Sequence, residues 1–224
     1  MDSDNCQGAD FCDEIVGKLD VSFARTYEGN PPTRQIVATN ELVLVVDLSP
    51  LMVGHLLLLP KRHYFSFAQV LNDHTGALNG FLSWLMPTYG ETFGRPVILE
   101  HGSSPNLDHS ACITHAHWHL VPLDGIEINN TIVEDGLNPV DLRSLAELAR
   151  PPWTSSPYFF ACFSDIFRVY RPLDEMRPQY LRSVIGRQLS MNDPEWDYAL
   201  IVRRHLLRAT MNLAGHWRSS FDSS

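Results

Sequence analysis

Histidines alternate at positions 115, 117 and 119 within the run Cys112-Ile-Thr-His-Ala-His-Trp-His-Leu-Val-Pro122. Side chains two apart share one face of a β-strand. His115, His117 and His119 are therefore expected to form a row, with neighbours about 6.5–7 Å apart, while Ala116, Trp118 and Leu120 turn the other way into a core. Burying three polar rings without partners or a task is costly. Imidazole carries protons near neutral pH and attacks electrophilic centres. A histidine that attacks phosphorus divides one displacement into two, through a phosphoramidate. It needs a neighbour to fix its tautomer, donors for the non-bridging oxygens and an acid for the leaving group. A central histidine flanked by two others meets those needs. A metal reading stays open beside it, because His-x-His on a strand can present two ligands to zinc, although no acidic ligand lies close in sequence.

More polar residues accompany the row. Asp47 ends an apolar run, His55 heads another, His63 follows Pro60-Lys61-Arg62, and His101 with Gly102 precedes the loop into the triple. If the strands that carry them are neighbours, several imidazoles and one carboxylate converge on one sheet edge. Loop amides near Gly102, and arginines of the second half, are candidate anion contacts.

The elements that must position these groups are read from periodicity. Residues 36–40 and 42–46 suggest two strands of a hairpin, and Gly54 to Pro60 a strand apolar on both faces. The spacing of Leu78, Phe81, Leu82, Leu85 and Tyr89 predicts a helix from Asp73, ended or bent by Pro87. Strands follow at 96–100 and 112–121. The first 122 residues thus predict an α+β fold, an antiparallel sheet with one long helix against it. Further on, the sequence predicts a mixed α/β extension. It has a helix opened by Asn138-Pro139, a hairpin of 158–163 and 166–170 around Ser164-Asp165, and a helix through Leu181, Val184, Ile185 and Gln188. A last helix runs from Asp193-Pro194 to about Ala214. Four segments are expected: a mobile 1–10, a domain at 11–124, an extension at 125–217 packed on it, and a frayed tail at 218–224.

A net charge of −9 argues against general nucleic-acid binding, and no apolar run is long enough to span a membrane. The four scattered cysteines fit a reducing compartment. Since the N-terminus shows no basic start followed by an apolar run, a cytoplasmic protein is expected. Charge is unevenly placed. Eight arginines fall between 168 and 208, whereas Lys18 and Lys61 are the only lysines.

The run His115-Ala-His117-Trp-His119-Leu120-Val121 resembles the His-φ-His-φ-His-φ-φ motif of the histidine triad (HIT) superfamily of nucleotide hydrolases and transferases. A second block agrees in order and spacing: Asp47-Leu-Ser-Pro50, then Gly54-His-Leu-Leu-Leu-Leu-Pro-Lys-Arg-His63. Phe11-Cys12-Asp13-Glu14-Ile15-Val16 is a weaker echo. The resemblance covers about residues 9–124 and implies a HIT-like domain there. It implies that His117 attacks the α-phosphate and carries the nucleoside monophosphate. His119 would contact phosphoryl oxygens or leaving group, and His115 would orient its neighbour. Asp47 would bind ribose hydroxyls, and His55 would line the cleft. The implied substrate is a phosphoanhydride, phosphoramidate or mixed nucleotide ester. Alternatives are transfer of the nucleotidyl group to phosphate or a metabolite, a metal-dependent hydrolase, and a nucleotide-binding protein without turnover. Similar proteins are often homodimers.

Three departures shape these expectations. Structural zinc in the family uses Cys-x-x-Cys plus two histidines. Here Ala9 stands at the first cysteine position, leaving Cys12, His63 and His115, so no cofactor is expected. Glu100 replaces the usual Asn; a carboxylate repels phosphate, so either Glu100 points elsewhere or the substrate differs. Cys112 replaces a phosphate-supporting serine, and a thiol is a weaker donor. Beyond residue 124 the resemblance is silent. Gln179 and Arg182, one helical turn apart, are candidate phosphate contacts, with surface ion pairs as the plainer alternative.

Overall fold

The structure is a computed structural model that describes residues 10–104, 115–174, 176–195 and 201–222. The described residues build one antiparallel sheet of eight strands with helices on both faces, an α+β architecture. In chain order the strands are β1 (Gln35–Ala38), β2 (Leu42–Val46), β3 (Leu56–Pro60), β4 (Val97–Gly102), β5 (Trp118–Val121), β6 (Pro139–Leu142), β7 (Tyr158–Phe163) and β8 (Ile166–Tyr170). Their order across the sheet is β1-β2-β3-β5-β4-β7-β8-β6. The extension predicted after residue 124 is thus not a separate layer. Its strand β7 pairs along the whole of β4, from Ile98↔Cys162 to Gly102↔Tyr158, so that edge is closed from within the chain.

Local chemistry explains the turns. Thr39 accepts the backbone N–H groups of Glu41 and Leu42 on Oγ1, closing the β1–β2 hairpin. The β7–β8 hairpin turns at Ser164 and Asp165, both left-handed (φ 49° and 64°), the backbone that a two-residue hairpin needs to follow strand twist.

Period-two burial then assigns the faces. Leu44, Leu58, Trp118, Leu120, Ile98 and Phe160 pack under the long helix α3 (Phe67–Phe93) in one core, joined by Phe23 and Tyr27 of the short α2 (Ser22–Tyr27). On the opposite face two separate patches form. Phe11 of α1 (Asp10–Ile15) lies on Val43, Val45, Leu57 and Leu59. Ile128 and Ile132 of α4 (Gly125–Glu134), with Leu181, Val184 and Ile185 of α5 (Tyr180–Gln188), lie on Val97, Leu99, Val121, Phe159 and Ala161. His119, paired between Leu57 and Leu99, emerges between the two patches.

Several sequence expectations are corrected. Helix α3 starts at Phe67 rather than Asp73 and runs through Pro87; its distorted residue is His74 (φ −134°, ψ 31°). Pro87 is exposed, while Leu85 and Tyr89 on the buried side hold the helix across it. The regular strand β5 covers only 118–121. The lead-in still pairs, Ala116 N donating to Tyr64 O at 2.7 Å. Pro139 opens strand β6 rather than a helix, at the sheet edge where a missing N–H is tolerated. A short 3-10 turn, Leu145–Ala149, follows. Helix α4, which the sequence reading missed, is capped by Asp124 accepting Ile126 N. The last predicted helix is shorter, α6 (Arg204–Leu213). The tail is not frayed over its described part: α7 (Trp217–Phe221) sets Phe221 against Phe81 and Trp84. The expected mobile N-terminus lies outside the described residues except for Asp10.

Glu100 ties these layers together. Its side chain points to the α3 face, away from the histidine face. Oε1 accepts Phe67 N at the start of α3 (2.6 Å), and Oε2 accepts Trp118 Nε1 (3.0 Å) and Tyr158 Oη–H (2.8 Å). The repulsion of phosphate expected from this carboxylate therefore does not arise. Glu100→Leu strands three buried donors and is expected to cost more than about 3 kcal/mol of unfolding free energy. Urea denaturation checks this. A loss below about 1 kcal/mol would show the tie to be idle.

Candidate active site

The side-chain network at the histidines can be assigned from groups whose roles are fixed. A backbone carbonyl only accepts and a backbone N–H only donates. His117 Nδ1 stands 2.9 Å from the carbonyl of His115, so Nδ1 carries the proton and Nε2 holds a free electron pair. His115 Nε2 stands 2.7 Å from Pro60 O and donates to it. Leu51 N–H donates to His55 Nδ1 (3.2 Å), so His55 carries its proton on Nε2, which donates to His119 Nδ1 at 2.9 Å. His119 is thereby left with its proton on Nε2. The result is a nucleophile-ready nitrogen on His117 and an N–H on His119, with ring centroids 5.0 Å apart.

The scaffold fixes these rings from both sides. Trp118, between the two key histidines, is stacked on Phe67 with centroids 4.0 Å apart. Phe11 of α1 meets His117 and His115 edge-on, at 5.6 and 6.2 Å. Helix α1 is itself held by Glu14, whose two oxygens accept Nε and Nη2 of the buried Arg34 at 2.8 and 2.6 Å. A small cavity of about 30 Å³ remains beside Phe11, Glu14, Ile15, Arg34, Val45 and Leu59, close to the room that one water needs.

Asp47 and Arg182 supply the local charge. Arg182 of α5 donates to Asp47 Oδ2 at 3.0 Å and to Ser49 O at 2.6 Å, and both partners of the ion pair are buried. Asp47 Oδ1 accepts Ser49 N. Burial alone would raise the Asp47 carboxyl. Arg182 foremost, with His55 and His119, holds it well below the usual carboxylate range. Burial also keeps the imidazoles neutral. It lowers His55, His101 and His115 to about 4 and lowers His117 and His119 as well. For His117 the His115 carbonyl and Asp47 oppose that fall.

The predicted residues divide accordingly. His115, His117, His119, His55, Asp47 and Arg182 come together. Asp47 does so while already accepting Ser49 N on Oδ1 and Arg182 on Oδ2. Gly102 ends β4, and a Cβ there would stand 2.4 Å from the Tyr158 ring, so this glycine serves close packing. Gln179 is the left-handed residue (φ 57°) just before α5, and its carbonyl accepts Ser183 N. Cys112 lies outside the described residues. Among the other arginines of the second half, Arg168, Arg177, Arg187 and Arg204 pair with Asp141, Glu195, Asp135 and Glu28, and Arg171 lies over the Trp153 ring. Phe11 and Arg34 were not among the predicted site residues, and His101 was placed beside the row without a role. The alternation of Leu99 and His101 along β4 was the available signal.

Among the described residues, two clusters have metal-ligand chemistry. Cys12 Sγ lies 3.1 Å from His115 Nδ1 and 3.5 Å from His63 Nδ1, and the His115 donation to Pro60 leaves its Nδ1 pair facing the sulfur. Cys12 is disulfide-bonded in this structure, so ligation requires its reduction to thiolate. An ion held there would pin α1 to the lead-in of β5. The second cluster, Asp47, His55 and His119, already has the Arg182 guanidinium bonded to its one carboxylate.

No protein-family model matches the sequence, and no curated protein matches it. Among solved structures, the chain is similar to a hypothetical histidine triad nucleotide-binding protein from Sulfolobus tokodaii, at 18% identity and a TM-score of 0.37 over 50% of this chain and 66% of that one. It is also similar to a HIT family member from Bacillus subtilis (18%, TM-score 0.36, 52% and 73% covered). A zinc-bound histidine triad family protein from Mycobacterium smegmatis is a further such structure (18%, TM-score 0.35, 47% and 76% covered). The chain thus spans just under two thirds of the Sulfolobus protein's length.

The buried neutral imidazoles set a pH dependence. Between pH 6.5 and about 4 the unfolded chain takes up protons that folded His55, His101 and His115 refuse, so stability is lost as pH falls. Each group contributes about 1.4 kcal/mol per pH unit in that window. Glu100, raised to about 7 by burial, acts in the opposite sense, but as one group against three. Urea unfolding at pH 7, 6 and 5 is expected to show falling stability on acidification. A flat or rising profile would mean that the rings are solvated.

Proposed function

We propose that the chain is a histidine-triad nucleotide hydrolase that works through a covalent nucleotidyl-His117 intermediate. The observation that carries the reading is the tautomer order. The carbonyl of His115 takes the Nδ1 proton of His117 and leaves Nε2 as its nucleophile. Leu51 and His55, acting in series, leave His119 with a proton to give. One step needs both groups, and they are neighbours.

In the first displacement His117 Nε2 forms a bond to the α-phosphorus while the bond to the leaving group breaks. The leaving group takes the Nε2 proton of His119. His119 then holds an electron pair and accepts a proton from water as water attacks phosphorus. The P–N bond breaks, a nucleoside monophosphate departs, and His119 is restored. Splitting the reaction in this way keeps a nucleophile and an acid in place for each half. Asp47 stays ionised and favours the positive charge that the His117 ring takes on when Nε2 bonds phosphorus while Nδ1 keeps its proton. The guanidinium of Arg182 brings positive charge beside the phosphoryl position.

The apolar surface of Phe11, Ile15, Val45 and Leu59 beside the row suits a nucleobase. The present cavity there is too small for one, so binding requires α1 to swing aside against the Arg34–Glu14 bonds. The Arg182–Asp47 bond favours a metal-free reaction over the metal-dependent alternative.

Adenosine 5′-phosphoramidate is a suitable first substrate, because its leaving amine needs a proton. His117→Gly is expected to lower kcat at least a hundredfold while leaving the urea midpoint near wild type. In ¹⁸O-labelled water the released monophosphate gains one solvent oxygen. Turnover by the variant above one hundredth of wild type would rule out covalent catalysis at this residue. Monophosphate free of label would point to transfer to another acceptor.

A further inference from the structure

A fifth imidazole stands on the histidine face. Strands β4 and β5 pair with Leu99 opposite His119 and Glu100 opposite Trp118. His101 and His117 are the next residue on each chain, one step beyond that last pair. The alternation that turns Glu100 toward α3 turns His101 with Leu99 toward the histidine row. The ring of His101 is held by Phe159, its register partner on β7, with centroids 4.7 Å apart. The extension therefore builds this part of the site. Of the buried side-chain nitrogens without a partner among the described residues, two belong to groups whose charge bears on His117: His101 Nε2 and Arg182 Nε. An unpartnered buried polar atom is rare, and a ligand is one of the accepted reasons for it.

We propose that His101 donates its Nε2–H to a non-bridging oxygen of a phosphoryl group seated against His117, whether bonded to Nε2 or bound as the monophosphate, a contact made only when that group is present. The inference rests on the nucleotidyl-His117 reading. The two sides of His117 then divide the work. On the β3 side, His55 and His119 handle the leaving group's proton. On the β4 side, His101 handles the charge that gathers on the oxygens. An electron pair on Nε2 would be repelled by a phosphoryl oxygen, so a bound anion selects the tautomer with the proton on Nε2. Phe159 fixes the ring plane, so the donor is oriented before the substrate arrives.

The test uses the whole chain and two substitutions. His101→Phe keeps a ring against Phe159 and lacks the donor; His101→Gln returns an N–H at nearly the same reach. With adenosine 5′-phosphoramidate, His101→Phe is expected to lose about a hundredfold in kcat with KM changed less than threefold, and His101→Gln to stay within tenfold of wild type. Wild-type kcat in His101→Phe overturns the inference, and so does equal loss in both variants with unchanged urea midpoints. A second readout does not need turnover. In the ¹⁵N-histidine-labelled wild type, millimolar adenosine monophosphate is expected to bring out a protected Nε2–H resonance that is missing from His101→Gln. No change at His101 under those conditions overturns the inference. Failure of the hydrolase reading shows differently, as turnover that survives His117→Gly.

Discussion

The site depends on a hydrogen bond within its own strand lead-in, from His117 Nδ1 to the carbonyl of His115. A neutral imidazole has one proton for two nitrogens, so fixing one end defines the other. Had the lead-in continued as a regular ladder strand, that carbonyl would belong to a neighbouring strand. Regular pairing of β5 instead begins at Trp118, and this frees the His115 carbonyl to set the tautomer. The same logic passes from Leu51 through His55 to His119, over two bonds of 3.2 and 2.9 Å. Two backbone groups thus decide which of the site's nitrogens can attack and which can donate.

The remainder of the fold keeps this arrangement dry and rigid. The α3 core fixes Trp118, and with it the orientation of both neighbours. The opposite face leaves a gap between the α1 patch and the α4–α5 layer, where the row emerges. Burial keeps the rings neutral, which a nucleophile requires. The single strong charge pair at the site, Asp47 with Arg182, joins the first half of the chain to the second across 135 positions. The extension also closes the β4 edge and carries Phe159 to His101. It is part of the site, not an appendage to it.

Much of this was legible in the sequence where one periodicity dominated. The alternation at 115–121 placed His117 and His119 on one face and Trp118 and Leu120 on the other. The Ser164-Asp165 turn and both strands beside it were readable from local chemistry, as was α5. Elsewhere the deciding interaction was distant. Pro139 looked like a helix start because nothing nearby showed that β8 would offer it an edge. Pro87 was expected to end or bend the helix; the spacing of Leu85 and Tyr89 across it already pointed to continuation, and the distortion falls at His74 instead. Arg182 was picked out with Gln179 as a phosphate contact, but its pairing with Asp47, 135 positions away, is visible only in the fold. Glu100 and His101 exchanged their apparent roles: the strand turns the carboxylate away and presents the imidazole.

The most direct measurement is chemical trapping of the intermediate. The protein is mixed with adenosine 5′-phosphoramidate or a diadenosine polyphosphate, quenched in base within one turnover, and digested for mass spectrometry. The account predicts an adenylyl group on the peptide that contains His117, bonded through Nε2, and none when residue 117 is glycine. Rapid turnover with no adduct at any time point, or an adduct on another histidine, would contradict it.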